Sequence, residues 1–485
     1  MNYRMILKII GRVVGIEGAL LLIPTAVALY FKESPKGFLV SIAACAAFFG
    51  LSVLISKNCD TRIYAKEGLT SVALSWVVMA AVGAIPFVIE AAIPNYINAF
   101  FETISGFTTT GASIINDIEI LPKGILFWRS FTHWIGGMGI LVFMMAVVPM
   151  SEEYSMYIMR AEVPGPEAGK LTAKVQHTSI ILYLIYIFIT LAETVALKIC
   201  GLPLYDSVVH AMGTAGTGGF SSKNASIGAY GMPSVEIVIA VFMMLFGVNF
   251  NIYFFMILKK FRAVVRNEEL RVYLFVVAFA TVTIAFNIRH LYDNSMATAL
   301  RYSFFQVNTF ASTTGYTTAA YEMWPQYSKT VLTLLMFMGA CAGSTAGGMK
   351  VSRLIILVRS AKVELKHLLH PRSFNPVAIE KKAVSKETLR STLVFFEIEM
   401  FALALGTLLI SLEKDIDFTA SMTSVASCLA NVGPYFGFGK FSGNFANFSY
   451  PSKLLLSVFM LMGRLELYPV VILLYPSTWK KKGQF

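Results

Sequence analysis

A chain of 485 residues that is 56% hydrophobic and only 14% charged falls well short of the roughly 25% charge of soluble globular proteins, which excludes a soluble domain and indicates a membrane protein. The net charge of +12 points either to nucleic acid or to orientation in a membrane, so the placement of the charges has to decide. Five cysteines, at 45, 59, 200, 341 and 428, stand scattered in or beside apolar runs without disulfide or metal spacing, as small packing residues do.

Arg4, Lys8 and Arg12 precede an apolar run from about Val13 to Phe31, and Ala26-Val27-Ala28 imitates a signal-peptidase site. The run is long enough to span, and a second one, Phe38–Ile55, follows at once. The two are expected to form a retained transmembrane hairpin over residues 1–57.

Four segments with one common order come next. Residues 68–150 hold an apolar run at Val72–Ile89, a short helix at Asn98–Phe107, the element Thr109-Thr110-Gly111-Ala112 and a second span near Phe127–Val148. Residues 176–258 hold Ser179–Ile199, Tyr205–Gly213, Thr217-Gly218-Gly219-Phe220 and Ser234–Ile257. Residues 270–360 hold Val272–Ile288, Ala299–Phe310, Thr313-Thr314-Gly315-Tyr316 and Val331–Val358. After a basic linker at 361–390, residues 391–476 hold Leu393–Leu412, Asp417–Leu429, Asn431-Val432-Gly433-Pro434 and Leu454–Leu474, before a tail at 477–485. The short helices are too short to cross a bilayer, so each is expected to dip in and stop. The fold class is therefore an all-α integral membrane protein: four helix–pore-helix–filter–helix repeats around a central pore, plus the hairpin, ten spans in all.

A single Thr-Thr-Gly-Tyr occurs in ordinary turns. Four glycines in matching places, at 111, 219, 315 and 433, carry more weight, because potassium filters are Thr-Val-Gly-Tyr-Gly loops whose carbonyls replace the ion's water shell. No element here spells that pentapeptide in full. Non-helical backbone at membrane depth is tolerated only when buried or lining a cavity, so four such loops imply a pore. A short helix ending at each filter aims the negative end of its dipole at a cation.

Of the 40 lysines and arginines, 27 lie in the N-terminus and the segments 57–68, 150–178, 258–271, 350–390 and 480–482. By the positive-inside rule those segments and both termini are cytoplasmic. Orientation thus accounts for the basic excess, and no nucleic acid is expected as a partner.

With these residues in place the chain resembles the Trk/Ktr/HKT superfamily of potassium transporters, in particular its TrkH branch, over nearly its whole length. The resemblance implies a potassium pore in the bacterial plasma (inner) membrane and potassium ions held at residues 109–111, 217–219, 313–315 and 431–433. It further implies homodimeric assembly amid membrane lipid and gating by cytoplasmic TrkA-type nucleotide-binding subunits. The alternative is a cation-coupled secondary symporter, which the repeats disfavour, because all four start on the same side rather than being inverted.

Two features bear on gating. The last span of the third segment is interrupted by Gly339-Ala-Cys-Ala-Gly-Ser-Thr-Ala-Gly-Gly-Met-Lys350, either small-residue helix packing or, as the resemblance implies, a mobile loop across the pore that includes Gly339, Gly343, Gly347, Gly348 and Lys350. Arg464, inside an apolar span, is costly unless it faces protein or water; it either pairs with Glu466 or another intramembrane acid or, as the resemblance implies, lines the pore opposite the loop.

Glu193, Glu397 and Glu399 either bond within the bundle or form an ion or proton relay. Glu102 and Asp206 either draw cations to the mouth or brace the filters. His133 reads as interfacial packing, while Lys198, Arg289 and Arg301 read as snorkelling side chains. No HExxH, GxGxxG or Walker A pattern is present, so no enzyme activity and no cofactor in this chain are expected, and any nucleotide dependence would belong to a partner.

Overall fold

The computed structural model describes residues 1–57, 65–139, 175–372, 376–380, 382–437 and 443–479. The far end of the expected Phe127–Val148 span, Cys59 and most of the C-terminal tail lie outside these residues.

The N-terminal hairpin is α1 (Tyr3–Leu20), α2 (Leu22–Tyr30) and α3 (Lys36–Ile55). Gly11, Gly15 and Gly18 on α1 face Ser52, Phe49 and Cys45 of α3, so the two helices run antiparallel at close approach, as small residues permit in membranes. Next come α4 (Ala65–Gly83), α5 (Ile85–Ile89), α6 (Tyr96–Phe107) and α7 (Lys123–Met138). Asn95 caps α6 by accepting from the amides of Ile97 and Asn98, the role its short polar side chain suits.

The second group is α8 (Val175–Ile199), α9 (Leu204–Ala215), α10 (Pro233–Phe246) and α11 (Phe250–Ile257). The apolar run Ser234–Ile257, read from sequence as one span, is two helices bent by 90°. The break falls at Gly247–Asn249, where the Asn249 side chain caps α11 by accepting from Asn251. The short α12 (Phe261–Arg266) leads to α13 (Glu268–Ile288), capped by Asn267, and then α14 (Met296–Ala311) and α15 (Gln326–Met338) follow. An irregular stretch separates α15 from α16 (Val351–Leu369), which continues well into the expected linker.

A two-stranded antiparallel hairpin, β1 (Ala378–Ile379) and β2 (Lys382–Ala383), pairs Ala378 with Ala383. The chain finishes with α17 (Lys386–Ile410), α18 (Phe418–Ala430), α19 (Tyr450–Arg464) and α20 (Tyr468–Leu474). Arg464 is thus the last residue of a helix rather than the middle of one. The break behind it holds Glu466 and Leu467 at positive φ and is followed by Pro469 at the start of α20, which cannot donate into a continuous helix.

Among the described residues five helices are long and apolar enough to cross a membrane, six if the bent α10–α11 pair counts as one span. Outward-facing apolar side chains such as Leu54, Phe188, Phe275 and Leu408 stay exposed on these helices, as a lipid-facing surface requires. The interior is polar where the four short helices converge. Thr108, Thr110, Thr214, Asn308, Thr314 and Ser427 are all fully buried.

Candidate functional site

Four loops follow the short helices α6, α9, α14 and α18, and each repeats one backbone construction. The helix gives way to a residue in the left-handed region: Thr109 at φ 56°, Thr217 at 55°, Thr313 at 57° and Asn431 at 53°. The next amide then donates five positions back at 2.9 Å, from Thr110 to Ser105, Gly218 to Gly213, Thr314 to Thr309 and Val432 to Ser427. This is the helix-ending bond of the Schellman motif. Glycine comes third, with φ of 78° at Gly111, 76° at Gly219, 86° at Gly315 and 97° at Gly433. A β-branched residue at positive φ is a conformational outlier, so each of the three threonines carries strain of about 1–2 kcal/mol. Four local conformations this alike, in segments of different sequence, are what a shared axis demands.

The glycines lock the loops to one another. A methyl group added to Gly111 would fall 1.9 Å from the Gly218 carbonyl oxygen, one on Gly219 2.1 Å from that of Thr314, one on Gly315 2.3 Å from that of Val432, and one on Gly433 2.5 Å from that of Thr110. Each loop thus abuts the next in the order one, two, three, four, and the fourth returns to the first. The structure brings all twelve residues named from sequence into this ring. A cavity of about 350 Å³ opens on it, lined among others by Gly111, Gly315, Gly433 and Glu322.

Side chains behind the ring hold it. Glu102 accepts from Ser113 Oγ at 3.0 Å and from the Ile114 amide at 2.9 Å, while Arg129 pairs with it at 2.8 Å in a fully buried ion pair. Arg129 also donates to the Ser221 carbonyl at 3.3 Å and lies 4.1 Å over the Phe220 ring, which ties the first loop to the second. Glu102 is therefore a brace rather than a charge at the mouth. Asp206 braces the second loop by accepting from Ser222 Oγ at 2.8 Å, and His210 Nε2 sits 2.9 Å from Ser221 Oγ.

His133 is not interfacial: it is fully buried, with Nδ1 2.7 Å from the Gly106 carbonyl. A methyl on Gly218 would fall 2.4 Å from its ring, which explains why the second loop alone carries two glycines. Arg301 does not snorkel but pairs with the buried Glu236 at 3.1 Å; Lys198 and Arg289 are exposed. Glu193 and Glu399 are buried, whereas Glu397 faces outward.

Replacing Arg129 by methionine leaves Glu102 charged and unpaired inside the protein, an arrangement that costs about 3–5 kcal/mol. The expected result is a markedly lower unfolding midpoint in detergent with the ring loosened on its first-to-second side. An unchanged midpoint would show that the pair does not hold the loops.

Beneath the ring lies the irregular stretch 339–350. Its neck is closed by the amides of Met349, Lys350 and Val351, which donate to the carbonyls of Phe337, Met338 and Ala340 at 3.1, 3.0 and 3.0 Å. Gly339, Gly343, Gly348 and Lys350 all have positive φ, and Gly339 packs directly on Gly348, with only 2.8 Å from a methyl on Gly348 to the Gly339 Cα. The Lys350 ammonium donates to the Ala346 carbonyl. The tip touches the ring: the Gly347 amide donates to Thr313 Oγ1 at 2.7 Å, and a methyl on Gly347 would fall 2.1 Å from the Ala430 carbonyl.

Arg464 reaches the same place from the opposite side. It donates to the Thr345 carbonyl at 2.9 Å, to the carbonyls of Gly136 and Gly137 at 2.6 and 2.5 Å, and to Thr109 Oγ1 at 3.4 Å. Glu466 is paired with Arg353. The loop and Arg464 together contact the first, third and fourth loops of the ring.

Three residues important here escaped the sequence. Buried Glu269 accepts from the amides of Ala342 at 2.7 Å and Ser352 at 3.0 Å, so it grips the stretch at both ends. Gly247 and Asn249, at the break between α10 and α11, provide its seat: the Cys341 amide donates to Gly247 and the Phe250 amide to Gly343, both at 3.0 Å. A glutamate next to Glu268 at a helix start looks like an ordinary capping acid. The mid-span Gly-Val-Asn at 247–249 was the available signal.

A family model described as a TrkH cation transport protein matches residues 35–481. The chain is 33% identical to the Trk system potassium uptake protein TrkH of Salmonella typhimurium, covering 99% of this chain and 100% of the relative. It is 32% identical to the Trk system potassium uptake protein TrkG of Escherichia coli, over 99% of each. The crystal structure of the potassium transporter TrkH from Vibrio parahaemolyticus superposes with a TM-score of 0.86 at 28% identity, covering 99% of this chain and 100% of that one. On its ring of loops and on full-length similarity, the chain belongs to the TrkH family of cation transport proteins.

Proposed function

We propose that this protein takes up potassium through the ring formed by residues 109–111, 217–219, 313–315 and 431–433, with ten spans and both termini cytoplasmic in a bacterial inner membrane. The observation that carries this reading is the closed order of glycine-to-carbonyl contacts among four loops with the same backbone conformation. Backbone carbonyls brought around an axis in this way offer a cation a substitute for its water shell. The relatives' own names, potassium uptake proteins, supply the ion. A channel-like pore accounts for the ring better than a symporter does, since the four loops repeat one backbone construction in the same chain direction rather than forming inverted pairs. Expression in a bacterial strain that lacks its own potassium uptake should restore growth at low potassium. No rescue by a correctly inserted protein, with or without its partner subunits, would count against the reading.

The gate in this reading is the 339–350 stretch with Arg464. Together they put two basic side chains, Lys350 and Arg464, and a plug of small residues under the filter, and the resemblance supplies the homodimer and the TrkA-type nucleotide-binding subunits that would move them. Glu269→Ala removes the acceptor for two buried amides, each worth about 1–3 kcal/mol when orphaned. The expected outcome is a loosened plug and a basal cation flux raised about tenfold for each 1.4 kcal/mol of closed-state stabilisation lost. Flux equal to wild type at equal protein in the membrane would separate Glu269 from gating.

A further inference from the structure

A cleft of about 660 Å³ runs between α1 and α3 of the N-terminal hairpin, lined by no residue of the ring. Its lining divides sharply along its length. At the end nearest the chain's N-terminus stand three cations, Lys8 and Arg12 one helical turn apart on α1, and Lys57 just beyond α3. Deeper in, the walls are apolar: Gly15, Ile16 and Ala19 on α1 face Phe49 and Val53 on α3. Among the described residues no acidic side chain lines it.

The shape follows from the sequence. Residues 8, 12, 15 and 19 lie on one stripe of a helix, and 49, 53 and 57 form the matching stripe on an antiparallel partner. Gly15 lacks a side chain there, so the Phe49 ring packs directly on α1, 3.1 Å from where a methyl on Gly15 would stand, and forms an apolar wall of the cleft. Cations that merely snorkel spread around a helix and extend outward to water. Here two cations of α1 and one just past the end of α3 line the same end of one cleft, with an apolar groove leading away from them. From Arg12 to Ala19 the apolar part runs about 10 Å at 1.5 Å per residue, the length of a good part of one acyl chain.

We propose that this cleft binds one anionic phospholipid, its phosphate held by Lys8, Arg12 and Lys57 and one acyl chain laid between Ile16, Ala19, Phe49 and Val53. Basic pockets between membrane helices take anionic headgroups for the same electrostatic reason. The site lies on the N-terminal hairpin rather than on the ring, and its occupancy is independent of which ion the ring conducts.

The test uses the full-length protein, purified and delipidated in a neutral detergent, with bound lipid counted by native mass spectrometry. Phosphatidylglycerol, phosphatidylcholine and glycerol 3-phosphate are the probes. Wild type is expected to retain one more phosphatidylglycerol than phosphatidylcholine, with about tenfold weaker phosphatidylcholine binding, and glycerol 3-phosphate is not expected to displace it. The triple substitution Lys8→Gln, Arg12→Gln and Lys57→Gln should lose that one lipid and the headgroup preference. Ala19→Trp, which fills the apolar part and leaves the charges alone, should lose it as well, and it decides the matter if the triple variant does not fold. Equal retention of both lipids by wild type, a full phosphatidylglycerol count in either variant, or displacement by glycerol 3-phosphate would overturn the proposal.

Discussion

Gly111→Ser is expected to abolish discrimination between potassium and sodium. Its Cβ would stand 1.9 Å from the Gly218 carbonyl oxygen, a backbone atom, at a position whose φ is 78°. Neither the strain nor the overlap can be relieved by a side-chain rotation, so the first loop must shift and the ring must open between its first two members. Carbonyls that no longer converge cannot select by ion size or field strength, and the permeability ratio should fall by about tenfold or more, since even 1.4 kcal/mol is a factor of ten. Gly443→Ser separates crowding from strain. Gly443 has φ 85° but no described residue within 4 Å of the added atom, so this control should carry the conformational cost and leave selectivity intact. A retained ratio in Gly111→Ser, or an equal loss in Gly443→Ser, would contradict the ring.

The second large effect is expected at Arg464. Its guanidinium sits at the helix end below the ring and holds the Thr345 carbonyl on one side and the Gly136 and Gly137 carbonyls on the other. In the proposed gate it would act twice, as a cation in the path of cations and as a clamp on the plug. Two unit charges about 6 Å apart repel by about 3 kcal/mol at an effective dielectric of about 20. Arg464→Gln keeps a donor and removes the charge; Arg464→Ala removes both. Cation flux without any partner is expected to rise in both variants, more in the alanine one. Deleting 341–347 should raise it further still, because it removes the plug with its bond from Gly347 to Thr313. Wild-type flux in all three at equal surface density would remove Arg464 and the loop from gating.

How much of this was legible in the sequence depends on the kind of interaction. The four glycines of the ring were visible because a positive φ and a close backbone approach both demand glycine, and the demand recurs four times. The interruption at 339–350 was visible because glycines and alanines in a row cannot sustain a helix. The 90° bend between α10 and α11 was not, since Gly247-Val248-Asn249 is a mild break in an otherwise apolar run and the bend exists to seat a loop about ninety residues further along the chain. The braces were equally hidden. Glu102 and Arg129 are 27 positions apart, and only the packing of α6 on α7 brings them into a buried pair. Glu466 is a sequence neighbour of Arg464 yet pairs with Arg353, because the break after α19 turns its carboxylate away toward α16. Long-range partners of charged residues cannot be read from spacing, whereas local backbone requirements can.

The central claim is a selective pore built from one chain, and the most direct measurement is the permeability of purified protein in a planar bilayer, with potassium on one side, sodium on the other and no partner subunit. The expected reversal potential reports a clear preference for potassium in wild type, lost in Gly111→Ser and kept in Arg464→Gln at higher current. A current that does not distinguish the two ions in wild type, or a Gly111→Ser variant as selective as its parent, would contradict it.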